Sequence, residues 1–248
     1  LVDLEGKIVI VTGASSGIGA ALSRGFSQAG ARVTLAARRK EKLNAAASEC
    51  PGEHLSVVAD VTDPQGRRDI VEKTLERWGR VDILVNNAGI GAYGHFLDTT
   101  EEQWRDLFEI NLFAPVLLTR EVLKIMHAQG EGLIVNLASI GGLLAHSDKV
   151  SAYVASKHAL LGFSRGLAKD LADTSIHVLA VCPHLTATEF FSASSGAEEL
   201  APALKKYQSF MDTPDAVARG ILDQLDSHRL VVFPTNTPAR VYEKQRDI

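Results

Sequence analysis

The chain is poor in the residues that hold a fold together without a hydrophobic core. Only two cysteines, Cys50 and Cys182, occur among 248 residues, and they lie far apart in sequence. That count rules against a disulfide framework and gives no zinc-ligand spacing; it fits a reducing, cytoplasmic compartment. No apolar run approaches the ~20 residues needed to span a bilayer, so no membrane span is expected. A block of like charge is also missing: 26 Lys and Arg stand against 30 Asp and Glu, a net charge of −4 spread along the chain. Nothing in that distribution could neutralise a run of phosphates, and no nucleic-acid partner is expected. The histidines show no ligand spacing, so no metal is assigned. No internal repeat, low-complexity tract or basic-then-apolar signal segment is visible. The chain begins at Leu1 without Met, which leaves removal of an N-terminal segment open.

What the chain does have is apolar material, 46% of its residues, enough for one substantial core. Short β-branched runs at Lys7–Val11, Arg32–Ala36, Leu55–Ala59, Val81–Val85, Leu133–Leu137, His177–Val181 and Leu230–Phe233 read as strands. Most are apolar throughout, as expected when both faces of a sheet are covered. Between them Ser16–Ala29, Lys40–Glu49, Pro64–Trp78, Glu101–Met126 and Ser151–Asp170 have helical spacing. The alternation predicts an α/β class: a single domain over 1–248 with a seven-stranded parallel sheet and helices on both faces. One span breaks the texture. Thr186–Pro214 holds Ser192, Ser194, Ser195 and Gly196, then an apolar-charged stretch through Met211. It is longer than a connection needs, and we read it as a substrate lid, with a disordered loop as the alternative. Thr235–Ile248 reads as a polar tail.

The first strand runs directly into Thr12-Gly13-Ala14-Ser15-Ser16-Gly17-Ile18-Gly19, which opens a helix. Gly13 permits the tight turn, Gly17 lets a pyrophosphate approach the backbone, and Gly19 allows close helix-strand packing; the helix start supplies oriented N–H donors. The alternative is a plain strand-to-helix loop, but the position after the first strand favours a dinucleotide. The second strand ends in Ala37-Arg38-Arg39-Lys40 with no carboxylate to repel a 2′-phosphate, and a guanidinium there can grip one. NADP(H) is therefore the expected cofactor, with a solvated basic helix start as the alternative. Asp60, after the third strand, can accept from an adenine amino group or serve as an N-cap-type residue.

Tyr153 and Lys157 stand four apart on a predicted helix, and so share a face. A nearby ammonium favours the phenolate, and at ~4 Å with an effective dielectric near 20 the attraction is roughly 4 kcal/mol. That would bring a tyrosine into a useful range for proton transfer. Alone, such a pair is more often a surface pair. Ser139 follows the fifth strand, Asn86-Asn87-Ala88-Gly89 follows the fourth, and Asn111 sits within the long helix Glu101–Met126. With these residues the sequence resembles the short-chain dehydrogenase/reductase family: Thr12–Gly19 matches its TGxxxGxG motif, Asn86–Gly89 its NNAG motif, and Tyr153–Lys157 its YxxxK motif. Ser139 and Asn111 match the remaining catalytic pair, and the likeness runs from Lys7 to Phe233.

The resemblance implies a single-domain Rossmann fold and hydride transfer between NADP(H) and a small carbonyl or secondary alcohol. Tyr153 would be the general acid or base, Ser139 would hold the carbonyl oxygen, Lys157 would lower the tyrosine pKa and bind the nicotinamide ribose, and Asn111 would hold a relay water. Dinucleotide contacts are expected from Gly13, Ser15, Ser16, Gly17, Ile18, Gly19, Arg38, Asp60, Val61, Asn87, Ala88 and Gly89, and from Tyr153, Lys157, Pro183, Thr186 and Thr188. His184 stands where the family has glycine; it could recognise a polar substrate or merely fill space. Tyr93, His146 and Phe190 are further substrate-pocket candidates. A homodimer or homotetramer is implied through the helices Glu101–Met126 and Ser151–Asp170. Two rival readings are a β-ketoacyl carrier-protein reductase and a catalytically silent NADP(H)-binding sensor. The ending Val231–Pro238 lacks the glycine-rich C-terminus typical of the first.

Overall fold

Val9 and Val11 belong to the core on one side of the first strand and Ile10 to the core on the other, and all three are fully buried. This is the two-sided burial expected of a strand covered on both faces. The computed structural model describes residues 3–145 and 147–245. Its strands are β1 (Ile8–Thr12), β2 (Arg32–Ala37), β3 (His54–Val58), β4 (Ile83–Asn86), β5 (Glu131–Leu137), β6 (Ser175–Val181) and β7 (Val231–Val232). They form one parallel sheet of seven strands in the order β3-β2-β1-β4-β5-β6-β7. The connections reverse direction between β1 and β4, which opens a crevice at the carboxyl ends of these strands.

Helices α1 (Gly17–Gln28), α2 (Lys40–Ser48) and α8 (Pro214–Leu222) cover one face, packing Leu22, Phe26, Leu43, Val217 and Ile221 onto Val9, Val11 and Leu35. On the other face α3 (Pro64–Trp78), α5 (Ala114–Gln129) and α6 (Ser151–Asp170) lay Ile70, Leu118, Val122, Met126 and Leu167 against Ile10, Leu84 and Ile134. A buried polar chain crosses this second face. The Asn86 amide donates to Thr119 Oγ1 (2.9 Å) and to Asn136 Oδ1 (2.9 Å), and the Asn136 amide donates to Ser164 Oγ (2.9 Å). It links α5, β4, β5 and α6 through groups that would each be costly to leave unpaired.

The strand boundaries agree with the sequence reading to within two residues, but α8 is a helix that reading did not name, and three further segments differ from it. The span read as one helix, Glu101–Met126, is α4 (Glu101–Phe108), a π-helical turn Glu109–Phe113, and α5. Pro115 supplies the cause: it lacks an N–H, and its ring opposes the carbonyl four residues back, which belongs to Asn111. The presumed tail contains α9 (Asn236–Gln245), with the Tyr242 ring 5.7 Å from that of Phe233. Pro238 does not prevent this helix because it falls in the first turn, where N–H groups lack intrahelical partners. The span Thr186–Pro214 contains α7 (Ala197–Tyr207) and a short 3-10 turn at Gln208–Phe210, and it closes on itself where Thr186 bridges to Asp212.

Candidate active site

The turn after β1 is built by close contacts that only glycine permits. Gly13 has φ +64°, and a Cβ there would lie 2.8 Å from the Asn87 amide nitrogen and 2.9 Å from Ala88 Cα. At Gly19 a Cβ would run into the Gly13 carbonyl and the Asn87 side chain. Thr12 ties the turn to the segment after β4, its hydroxyl accepting from the N–H groups of Asn87 (3.0 Å) and Ala88 (3.1 Å). The Asn87 amide donates back to the Thr12 carbonyl at 2.9 Å. Helix α1 starts at Gly17 with no side-chain cap from Ser16, so its first N–H groups lack that partner. This glycine cradle with a bare helix start suits a pyrophosphate. Thr188 closes the turn from outside, its methyl 3.0 Å from where a Gly17 Cβ would be.

On the same sheet edge, Ser139 leaves β5 in extended conformation and its hydroxyl accepts from the Gly141 N–H at 3.0 Å. The Ser139 hydroxyl lies close enough to the Tyr153 phenol to pull its pKa down. Lys157, one helical turn on, is buried and donates from Nζ to the Leu137 carbonyl at 2.9 Å, with its charge 5.9 Å from the Tyr153 ring centre. Asn111 lies in the π-helical turn, where its side chain pairs with both backbone groups of Ile90, accepting from N–H and donating to C=O at 2.9 Å each. It also donates to Ser156 Oγ (3.1 Å), which in turn donates to the Tyr153 carbonyl (2.8 Å). A Cβ on Gly89 would lie 3.0 Å from Asn111 Oδ1 and 3.6 Å from Lys157 Nζ. The predicted quartet therefore converges, with Ser156 as a connecting residue that the sequence reading missed.

The electrostatics depart from the expectation of a lysine-lowered tyrosine. Burial pushes the Tyr153 phenol up to about 12, against a smaller downward pull from the Ser139 hydroxyl. Burial likewise pushes the Lys157 ammonium down to about 8. Desolvation outweighs attraction because Lys157 turns its Nζ to the Leu137 carbonyl rather than to the phenol oxygen. Cys182, buried at the end of β6 beside both groups, is pushed up to about 12 by the same loss of water and stays a neutral thiol.

Around Tyr153 stands an aromatic wall. Tyr93 and Phe190 have ring centres 5.9 Å and 5.8 Å from it, and Phe191, absent from the sequence reading, stands 6.4 Å from Tyr93 and 5.5 Å from Phe190. The Tyr93 N–H donates to the Ser195 carbonyl at 3.0 Å and the Gly91 N–H to Ser194 Oγ at 3.0 Å, stitching the span after β6 to the span after β4. Pro183 is buried and its carbonyl accepts from Ile140 N–H at 2.9 Å, while Thr186 donates to the His184 carbonyl at 3.2 Å. His184 is half-buried. His146 lies outside the described residues.

At the far end of the crevice, Asp60 accepts from the Thr62 backbone and hydroxyl at 2.9 and 2.8 Å and meets Arg38 at 3.4 Å. Burial works to raise its carboxyl, but the Thr62 bonds and the Arg38 guanidinium outweigh it and hold the group below its ordinary value. Val61 beside it is buried, and the side-chain cap of α3 is Asp63 rather than Asp60. Arg38 thus pairs with Asp60. Its neighbour Arg39 is the one that reaches the turn, donating to Ser15 Oγ (3.1 Å) and Ser16 Oγ (2.7 Å).

A family model described as short chain dehydrogenase matches residues 7–199. An uncharacterised oxidoreductase of Thermotoga maritima is 39% identical over 214 residues, 84% of this chain and 83% of that protein. Among solved structures, a short-chain dehydrogenase from Streptomyces avermitilis superposes with a TM-score of 0.86 at 34% identity, covering 98% of this chain and 92% of the other. A 3-ketoacyl-(acyl-carrier-protein) reductase from Brucella melitensis, solved with NADH, has a TM-score of 0.82 at 27% identity, covering 99% and 100%.

Proposed function

Because the chain belongs to the short-chain dehydrogenase/reductase family of oxidoreductases, we propose that it interconverts a carbonyl and a secondary alcohol with NADP(H), using Tyr153 as general acid and base. The convergence of Ser139, Tyr153 and Lys157 on the sheet edge that also carries the glycine turn is the observation behind this reading. The glycine cradle and the α1 N-terminus would hold the pyrophosphate, and Asn87, Ala88, Gly89 and Lys157 the nicotinamide half. When bound, the dinucleotide supplies the hydride in reduction and takes it up in oxidation.

Tyr153 donates the phenol proton to the carbonyl oxygen in reduction, and a pKa of about 12 keeps that proton in place at neutral pH. Ser139 holds the same oxygen. Lys157, with its pKa near 8, is able to return a proton to the phenolate at physiological pH. Asn111 positions rather than reacts: it fixes the Ile90 backbone and, through Ser156, the turn of α6 that carries Tyr153. The rings of Tyr93, Phe190 and Phe191 favour an uncharged carbonyl compound with a flat apolar body. Residues 186–214 serve as the lid over it. The preference for NADP(H) rests on Arg38, Arg39 and the absence of a carboxylate at the end of β2. A homodimer or homotetramer in the cytoplasm completes the proposal, with the helices around Phe113 and α6 as the pairing surface.

A β-ketoacyl thioester is a second candidate carbonyl, favoured by the likeness to the Brucella reductase. The deciding experiment is a carbonyl panel that includes such a thioester, run with NADPH and with NADH and followed by nicotinamide absorbance. Turnover with NADPH that vanishes in Tyr153→Phe while the dinucleotide still binds supports the enzyme. Binding without turnover across the panel would favour a silent sensor, and equal efficiency with NADH would contradict the cofactor preference.

A further inference from the structure

Four basic residues, Arg38, Arg39, Lys40 and Lys42, cluster where β2 meets α2, and two of them converge on one acid far away in sequence. Arg39 donates from one guanidinium nitrogen to Ser15 and Ser16 and from the other to Glu189 at 3.0 Å. Lys42 Nζ contacts both Glu189 oxygens, at 2.6 and 2.7 Å. These bonds, Lys42 first, hold the Glu189 carboxyl below its ordinary value. A groove of about 320 Å³ bordered by Ser15, Ser16, Gly17 and Lys42 opens beside the pair.

Glu189 also sits at a junction. Thr188 before it covers the glycine turn, and its hydroxyl accepts from Phe190 N–H at 3.2 Å. Phe190 after it lays its ring 5.8 Å from that of Tyr153. One acid therefore ties the start of the 186–214 span to the adenosine end of the crevice, while the next residue leans on the proton donor. Two hydroxyls, a guanidinium and an ammonium beside a helix N-terminus make a receptor for a dianion, yet Glu189 brings only one negative charge. A phosphate monoester carries about −1.5 to −2 with three acceptor oxygens and is the stronger partner for the same cations.

We propose that Glu189 is a specificity-determining residue: its carboxylate occupies Arg39 and Lys42 as an internal competitor that the 2′-phosphate of the dinucleotide must displace. Displacement releases the lid from the glycine turn and lets Phe190 leave Tyr153, so that the phosphorylated dinucleotide loosens the substrate side of the crevice and the unphosphorylated one does not. Both ion pairs are about half exposed, hence individually weak and exchangeable. The inference rests on the NADP(H) reading above and adds to it a residue outside the β2 end.

The test needs no turnover. Adenosine 2′,5′-bisphosphate and 5′-AMP are titrated calorimetrically into the full chain and into Glu189→Gln, an exposed and nearly isosteric change. The variant is expected to bind the bisphosphate about three- to tenfold more tightly, as loss of two surface ion pairs allows, and 5′-AMP equally. Hydrogen exchange over residues 187–196 should rise in the wild type with the bisphosphate alone and be high in the variant without ligand. If the wild type prefers the bisphosphate but the variant shows no gain, the inference falls and the cofactor reading stands. If only the variant prefers it, the competitor role is supported and the wild-type cofactor reading falls. No preference in either protein overturns both.

Discussion

Replacing Lys157 by methionine should make the protein more stable at neutral pH while abolishing its chemistry. Burial lowers the Lys157 pKa from 10.5 to about 8, which corresponds to about 3 kcal/mol of cost for keeping the ammonium charged inside the fold at pH 7. Methionine has similar length and no charge to desolvate. Against the gain stands the lost hydrogen bond to the Leu137 carbonyl, about 1–2 kcal/mol. The net is a stabilisation of about 1–2 kcal/mol, or ~2–8 °C in Tm for a chain of this size. The pH dependence is the sharper signature. Between pH 8 and 10.5 the unfolded chain binds the proton that the folded one has released, so the wild type gains stability with rising pH at about 1.4 kcal/mol per unit. Below pH 8 the cost is fully present; above 10.5 it is gone. Tyr153 and Cys182, both pushed up to about 12, act in the opposite sense at alkaline pH, but they are present in both proteins and largely cancel in the difference. Urea unfolding of both proteins at pH 7, 8, 9 and 9.5 reads that difference directly. A variant less stable at pH 7, or a gap between the two that stays constant to pH 9.5, would refute the desolvation argument.

Two further outcomes test the scaffold around the site. Gly19→Ala should lower stability by ~2 kcal/mol or more and eliminate dinucleotide binding, because the added methyl meets the Gly13 carbonyl and the Asn87 side chain, neither of which can withdraw without opening the turn; a thermal melt and a fluorescence titration check both parts. Asn136→Leu should cost about 2–4 kcal/mol, since it strips partners from the Asn86 amide and from Ser164 in a buried setting. A denaturation midpoint unchanged from wild type would show that this polar chain contributes nothing net.

What could be read from the sequence was what local rules encode. The turn Thr12–Gly19 was legible because its glycines answer to close approaches along a few consecutive residues, and the contacts of Gly13 and Gly19 bear this out. Tyr153 and Lys157 were placed on one helix face by a spacing of four, and α6 has the boundaries that the periodicity predicted. The π-helical turn was missed although its cause, Pro115, was in view: a proline four residues after Asn111 removes a donor and crowds that carbonyl, but the spacing of apolar residues continues through it. Arg39, Lys42 and Glu189 were out of reach for a different reason. Their pairing joins positions about 150 apart through long exposed side chains, and no periodicity records which of Arg38, Arg39, Lys40 and Lys42 meets Glu189.

The tyrosine pKa shows where a correct local inference gives the wrong sign. Coulomb attraction between Tyr153 and Lys157 follows from their spacing, whereas desolvation follows from Phe190, Tyr93 and Cys182, which come from three other stretches of chain. In a dry site the second effect wins, and the phenol holds its proton. In the proposed reaction a phenol with a pKa near 12 is a well-retained acid for carbonyl reduction, and the lysine near 8 is matched to reprotonating it at neutral pH. The burial that overturns the expected pKa comes in part from Phe190, in the span 186–214 whose purpose was least readable in the sequence.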